Sequence, residues 1–499
     1  MPVYRTSDNH ILLTPAETRN ADSWAIKNGI SAHALMESAG RAAAEIIVDY
    51  MGTPLEAGGE ILVLCGPGNN GGDGFVVARC LDEWGYPVRV MLSVEPNELK
   101  GEPKKMAAKW MGSIEELDAS HMDSAAAIVD SLFGTGLNKA IDGKLAKAIK
   151  KANEADAFRL AIDMPSGLDA RTGNALGICF QADATVTFFH RKAGQLVAPG
   201  RFYCGGTEHI HVVDIGIPEA AMEDIEPSHF SNEPALWSQV YPFQGPASHK
   251  YDRGHLLVLG GKEPTLGASR LACIAALRTG AGLVTLAASS ETYAIQAGAL
   301  DDIMVRRFES AFGFVGMLSD PKIGTVVLGP GVGVGEKTAD LVQKSASKGC
   351  DLVLDADALT SLTGRTDQIA GMGRGQIVLT PHEGEFKRLF PDLDFHSDRI
   401  HAVRKAAAFT GSTVVLKGVS TIVASADGRV SIASNAPSWL SVGGTGDVLS
   451  GMIGSLLVQG MPAFEAASAA VWMHGEAAML AGRGLIASDL LLQISKVLP

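Results

Sequence analysis

Short apolar runs alternate along this chain with longer stretches in which apolar residues recur at helical spacing, and that alternation predicts a succession of strands and helices. In the first half, Glu60–Cys65 (EILVLC), Val88–Leu92, Ala126–Asp130 and Arg159–Ile162 read as buried strands, while residues 14–50 and Phe75–Trp84 read as helical. In the second half, strands are expected at His255–Leu259, Gly282–Ala287, Thr325–Leu328, Leu352–Leu354, Gln376–Thr380 and Thr413–Lys417. Helices are expected there at Ala268–Thr279, at Asp398–Thr410 and from Gly446 onward. Between the halves, residues 218–250 carry five prolines and no clear period, which reads as linker. The pattern predicts the α/β class with parallel sheets and two domains, residues 1–225 and 235–499. No short repeat is found, and the two halves share no glycine-loop spelling that would mark a duplication.

Composition narrows the function. The 499 residues hold 42 Lys+Arg against 55 Asp+Glu, a net charge of −13, with no basic run. That balance argues against nucleic acid and anionic membrane as partners and for small-molecule substrates. Small anions stay eligible, because helix N-termini bind phosphate without net positive charge. The six cysteines, at 65, 80, 179, 204, 273 and 350, form no C-x-x-C pair and read as reduced core thiols of a cytoplasmic protein. The first residues lack an apolar leader segment. The charge-free stretch from Val448 to Phe464 contains four Gly or Pro residues and suits a buried helix better than a membrane span. The apolar helices leave room for a homo-oligomer. Glycine stands out: 57 residues, against about 35 at average usage. Such excess is the habit of α/β nucleotide binders, so the glycine clusters are the first candidates for chemistry.

In the first half, GPGNNGGDG (Gly66–Gly74) follows a strand and precedes a helix expected from Phe75. Its glycines let main chain approach a ligand, and the helix amides would face a phosphate. It has neither G-x-G-x-x-G spacing nor the Lys-Ser/Thr of a P-loop. Asp130 and Asp163 each end an apolar strand, where a carboxylate is either a helix cap or a ligand to substrate or cation. Pro165 and Gly167 in DMPSG set a sharp turn that would present Asp163 and Ser166 to one pocket.

The set NNGGDG, DSLFGTG, IDMPSG and DIGIP, in that order, resembles the YjeF N-terminal family of NAD(P)H-hydrate epimerases over roughly residues 10–220. The resemblance implies a Rossmann-like fold and interconversion of the R and S forms of hydrated NADH and NADPH at C6 of the nicotinamide ring. It implies that Asn69, Asn70, Gly71, Gly72 and Asp73, with Gly134, Thr135, Gly136, Leu137, Asn138, Lys139 and Ala140, hold the dinucleotide phosphates and ribose. Asp163 would contact the nicotinamide end and act as the acid–base residue, because epimerisation requires proton movement near C6. Potassium would be coordinated through oxygen by Asn70, Asp130 and Ser166, a donor set suited to a hard cation.

In the second half, GGTGD (Gly443–Asp447) precedes an apolar helix. Its glycines free the backbone, the helix dipole favours an anion, and Asp447 could take a proton from an alcohol attacking a phosphoryl group. The alternative is an acidic residue simply favoured in a first helical turn. Lys417–Thr421 (KGVST), at a strand end, suits nucleotide phosphates or adenosine, or else a plain turn. His382, in the strand-end loop TPHEGE, could donate to a substrate.

With GGK, GASRLACIAALRTGAGLVT, GPGVG, LDADAL, LTPHEGE, LKG and GGTGDVLSG in order, residues 250–499 resemble the ribokinase-like superfamily, most closely its NAD(P)H-hydrate dehydratase branch. The resemblance implies use of ADP or ATP, with magnesium, to phosphorylate the C6 hydroxyl of the S hydrate, after which phosphate leaves and NAD(P)H is restored. Ala268, Gly331, Gly333 and His382 would line the hydrate site with Asp447 as base. Lys417, Gly418, Val419, Ser420, Thr421 and Gly446 would contact the adenine nucleotide. Two residues depart from the family spelling: Lys262 after Gly261, and Thr360 at the end of DADAL. The rival readings are a vitamin kinase of the hydroxyethylthiazole or pyridoxal type fused to a dinucleotide-binding scaffold, and a non-catalytic scaffold.

Overall fold

The computed structural model describes residues 10–245, 249–372 and 375–499. The expectations placed on residues 1–9 (no leader segment) and on 246–248 (the end of the proline-rich break) lie outside the described residues. The chain divides into two compact units, Met1–His229 and Phe230–Pro499.

In the first unit seven strands lie in the order Ile114–Glu116, Val88–Leu92, Glu60–Cys65, Ala125–Ser131, Phe158–Ile162, Ala184–Phe188 and Ile210–Val213. Every neighbouring pair is parallel. The run Ile61–Cys65 is apolar throughout because both faces of its sheet are covered. Ile61, Val63 and Cys65 pack with helices on one side, and Leu62 and Leu64 join the core on the other. The chain moves outward from Glu60–Cys65 in one direction and then returns to build in the other from Ala125–Ser131. The switch point, where α/β sheets bind ligands, therefore lies at the carboxyl ends of these two strands.

Two helical expectations change in detail. The predicted 14–50 helix is two helices, Pro15–Lys27 and Ala32–Met51. They are parted at Gly29 (φ +97°) and each is capped, by Thr14 and by Ser31. The helix expected from Phe75 begins at Asn69, so NNGGDG is its opening segment and not a preceding loop. Those glycines serve close packing. A Cβ on Gly71 would run into the Gly66 carbonyl oxygen, and one on Gly74 into the Ser131 hydroxyl.

In the second unit the sheet, from Val430–Ala433 onward, follows the order Val430–Ala433, Thr421–Ala424, Thr413–Leu416, Ile377–Leu379, Asp351–Leu354, Ile323–Leu328, His255–Leu259, Leu283–Ser289 and Met304–Phe308. From Thr413–Leu416 onward the pairings are parallel, as the βα pattern predicts. The first three strands pair antiparallel, which the sequence reading did not foresee. An Asp427–Gly428 turn, with Gly428 at φ +97°, closes the last hairpin, and this dipeptide is a local hairpin signal.

The C-terminal region forms three helices, Thr445–Val458, Ala463–Ala481 and Ala487–Val497. Among the described residues no helix is long and apolar enough to cross a membrane. Thr445–Val458 is buried along most of its length and packs against Leu266–Arg278 so closely that a Cβ on Gly451 would meet the Ala272 carbonyl oxygen. Gly451→Ala is therefore expected to cost about 1–3 kcal/mol. Urea unfolding of the full chain measures this, and an unchanged midpoint would contradict the close approach.

Candidate active sites

A cavity of about 760 Å³ opens at the switch point of the first unit. Asn69, Asn70, Asp73, the whole run Gly134–Ala140, and Asp163 line it. Gly71 and Gly72, expected to touch ligand, are absent from its wall. Gly71 backs onto Gly66, and a Cβ on Gly72 would lie 2.5 Å from the Met36 sulfur. The helix Asn69–Glu83 starts from Gly68 with no side-chain cap, so its first amides are left for a ligand to satisfy.

Asp163 has a left-handed backbone, φ 63°, which costs a non-glycine residue roughly 1–3 kcal/mol and is concentrated at functional sites. Its amide donates to the Val186 carbonyl (2.6 Å), and Gln195 Nε2 donates to its own carbonyl (2.8 Å). These bonds turn the carboxylate into the cavity. There Oδ2 accepts from the Thr135 amide (3.1 Å), and Oδ1 accepts from the ammonium of Lys192 (2.7 Å). Lys192 is wholly buried and also donates to Thr187 Oγ1 (2.8 Å) and the Phe188 carbonyl (3.3 Å). The sequence reading missed Lys192, since nothing local marks a lysine after a strand as interior. It also missed Asp22, on the first helix, which lines the same cavity. Burial holds Asp73 well above the usual carboxylate range, and the charges of Asp163 and Asp22 push the same way.

Asp130 and Ser166 lie behind the wall, both fully buried. The Asp130 carboxylate accepts from the Ser166 amide (2.7 Å), the Ser166 hydroxyl (2.6 Å) and the Leu132 amide (3.2 Å). Burial nevertheless lifts its carboxyl to about 6, against those bonds. The side-chain oxygen and nitrogen of Asn70 are buried with no partner among the described residues.

In the second unit the helix Thr445–Val458 starts from Gly444 (φ +92°), again without a side-chain cap. Asp447 stands in its first turn. The Thr445 hydroxyl donates to the Val442 carbonyl (2.9 Å). Lys417 Nζ donates to Asp355 Oδ1 (2.8 Å), and Ser450 Oγ donates to Asp355 Oδ2 (2.6 Å). A Cβ on Gly446 would come 3.3 Å from the Lys417 ammonium, so the absence of a side chain keeps that ammonium open. Burial works to raise Asp355, but the Lys417 charge and the hydrogen bonds outweigh it and the net shift is downward. Asp447 goes the other way. Burial first, then the negative Asp355, lift its carboxyl to about 7, with Lys417 opposing. Asp355 and Ser450 were not singled out from the sequence.

The remaining expected residues fall into two groups. Gly331 and Gly333 belong to a loop whose Gly333 amide donates to Asp357 Oδ2 (2.8 Å), and Ala268 lies in the first turn of Leu266–Arg278. The departing residue Lys262 reaches this loop: a Cβ on Gly333 would lie 2.9 Å from its ammonium. Thr360 sits in the short helix Ala356–Ser361. His382 caps the helix Glu383–Leu389, its Nδ1 accepting from the Gly384 and Glu385 amides (3.0 and 3.2 Å). That cap places the ring hydrogen on Nε2. Gly418, Val419 and Ser420 form the turn between two antiparallel strands that Thr421 continues, with Val419 exposed and Ser420 buried.

A cavity with an ion-paired carboxylate at a doubly wound switch point, and a second fold with an uncapped GTGD helix beside a half-buried lysine, define a two-domain α/β enzyme that handles nucleotides. Residues 32–194 match the family described as YjeF-related protein N-terminus, and residues 256–499 match the family described as NAD(P)H-hydrate dehydratase. The chain is 34% identical over 526 residues to the bifunctional NAD(P)H-hydrate repair enzyme Nnr of Salinibacter ruber, covering 97% of this chain and 96% of the relative. It is 36% identical over 449 residues to the enzyme of the same name from Escherichia coli, covering 87% and 84%. The ADP/ATP-dependent NAD(P)H-hydrate dehydratase of Bacillus subtilis, solved with ATP/Mg2+, is similar at 27% identity over 52% of this chain and 94% of that chain, with a TM-score of 0.47. The chain belongs to the family of bifunctional NAD(P)H-hydrate repair enzymes, with a Rossmann-like N-terminal domain and a ribokinase-like C-terminal domain.

Proposed function

We propose that the first domain epimerises R- and S-NAD(P)H hydrate through Asp163, and that the second dehydrates the S form to NAD(P)H at the expense of ADP or ATP, with Asp447 as base. The carrying observation is that one chain holds both Asp163, paired with Lys192 in a cavity, and Asp447, lifted to about 7 at an open helix N-terminus. Hydration at C6 yields two epimers, and a stereospecific site clears only one, so an epimerase on the same chain makes the other usable. Hydroxide leaves poorly and phosphate leaves readily. Asp447 therefore takes the proton of the C6 hydroxyl as its oxygen attacks the terminal phosphoryl group. The resulting phosphate ester then expels phosphate with loss of a C5 proton. The amides of Gly444 and Gly446 and the Lys417 ammonium suit the transferred phosphoryl charge. The segment Lys417–Thr421 suits the rest of the nucleotide.

Magnesium bound with the nucleotide would offset phosphate charge. Potassium fits the donor chemistry of Asn70, Asp130 and Ser166: among the described residues the buried Asp130 carboxylate has no ammonium partner and the buried Asn70 amide oxygen is unpaired, and the cation would supply the missing positive charge. Six buried, unbridged cysteines support a reducing, cytoplasmic setting. The vitamin-kinase and scaffold readings leave Asp163 and its cavity without work.

The test is to supply the purified chain with mixed hydrate epimers and ADP or ATP, and to follow the absorbance of reformed NADH. Both epimers are expected to be consumed. With Asp163→Asn, only the S fraction should disappear rapidly. Accumulation of a stable phosphorylated product without NADH would favour the vitamin-kinase reading.

A further inference from the structure

The Asp163 carboxylate faces the cavity with Lys192 as counter-charge, and inversion at C6 demands a second proton-handling group. The C6 carbon bears a hydroxyl and is bonded to the ring nitrogen N1, which makes it a carbinolamine. Such a centre inverts by losing water and regaining it on the other face. An acid must serve the departing hydroxyl and a base the incoming water, and one carboxylate held on one face does not reach both. Five carboxylates line the cavity: Asp22, Asp73, Glu102, Asp142 and Asp163. Glu102 is occupied by Lys105 and His33. Asp142 is exposed and heads the helix Gly143–Glu154. Asp73 lies in the second turn of the helix Asn69–Glu83, whose open first amides suit phosphate. Asp22 comes from a different element, the helix Pro15–Lys27, and is half-buried.

We propose that Asp22 is the second acid–base residue of the epimerase, serving the face of the nicotinamide ring away from Asp163; this rests on the epimerase reading given above. Protonated Asp22 gives its proton to the C6 hydroxyl as the C6–O bond breaks with its electron pair on oxygen, while the N1 lone pair forms a C6=N1 double bond. Water then adds to C6 from the Asp163 side, the C6=N1 pair returns to N1, and the Asp163 carboxylate takes the proton released. The net change is inversion at C6 and movement of one proton from Asp22 to Asp163, which the reverse turnover undoes. Burial lifts the Asp22 carboxyl to about 6, with Lys192 pulling it down and Asp163 pushing it up, so both protonation states are accessible near neutrality. The other charged groups on the wall are Arg19, Asp73, Glu102, Lys139 and Asp142.

The experiment compares the full chain with Asp22→Asn and Asp22→Glu, supplying the R hydrate without nucleotide and following S by chromatography. It also measures oxygen-18 uptake from labelled water into the C6 hydroxyl. Asp22→Asn is expected to lower kcat by about 100-fold or more with little change in KM. The alkaline limb of the wild-type pH profile, the fall in rate as Asp22 loses its proton above about 6, should vanish, and Asp22→Glu should restore part of the rate. Wild-type inversion should incorporate one solvent oxygen per event. If the wild type does not epimerise, the underlying reading fails. If it does, an Asp22→Asn rate within about threefold of wild type, a loss confined to KM, or inversion without label uptake overturns the role of Asp22. The label measurement uses wild type and stands even if a variant fails to fold.

Discussion

Replacing Asp447 with asparagine is expected to slow nucleotide-dependent dehydration by about 10²–10⁴-fold, the range for losing a positioned general base, while epimerisation by the same chain continues. The amide keeps the shape of the carboxylate but cannot accept the proton of the C6 hydroxyl. The pH dependence follows from the environment. Burial and the neighbouring Asp355 lift the Asp447 carboxyl to about 7. A base works in its ionised form, so dehydratase activity should be low below that pH, climb through it and level off above. Lys417 opposes the lift. Its replacement by methionine should therefore move the climb to higher pH, besides removing the ammonium that Asp355 holds at 2.8 Å. The profile of kcat/KM against pH at saturating nucleotide measures both effects. A flat wild-type profile between about pH 6 and 8 would contradict Asp447 as the base.

The second large effect concerns Asp163. Asp163→Asn is expected to lower epimerisation by about 10²–10⁴-fold and, separately, to destabilise the first domain. Lys192 is wholly buried and pairs with Asp163 at 2.7 Å. Breaking a buried pair by removing one partner leaves an uncompensated charge and typically costs about 3–5 kcal/mol. The double variant Asp163→Asn with Lys192→Met removes both charges, so it should regain most of the stability and none of the activity. Urea unfolding and epimer chromatography on the same preparations separate the two consequences. Full epimerisation by Asp163→Asn would sink the assignment.

The strands that were legible are ones covered on both faces, which must be apolar for several residues together. Glu60–Cys65, Val88–Leu92 and His255–Leu259 stand where the sequence placed them. The glycine clusters marked where the chain approaches something closely, and the order of motifs pointed to the family. Local spelling could not say what a glycine approaches: Gly71 meets backbone and not ligand. Nor could it show that NNGGDG is already helix, since three glycines in six residues ordinarily argue against one.

The sequence by itself determined the α/β class, the two-domain order, most strand positions and the two acidic residues on which the chemistry is placed. Those properties are written in runs of neighbouring residues, where burial and turn geometry leave a local mark. Tertiary structure alone decided which charges meet. Lys192 finds Asp163 across 29 residues, and Lys417 finds Asp355 across 62. Asp22 enters the first cavity from a separate helix. No periodicity links such partners, because they are brought together by the winding of parallel strands, and the desolvation that lifts Asp22 and Asp447 exists only once that winding has closed around them.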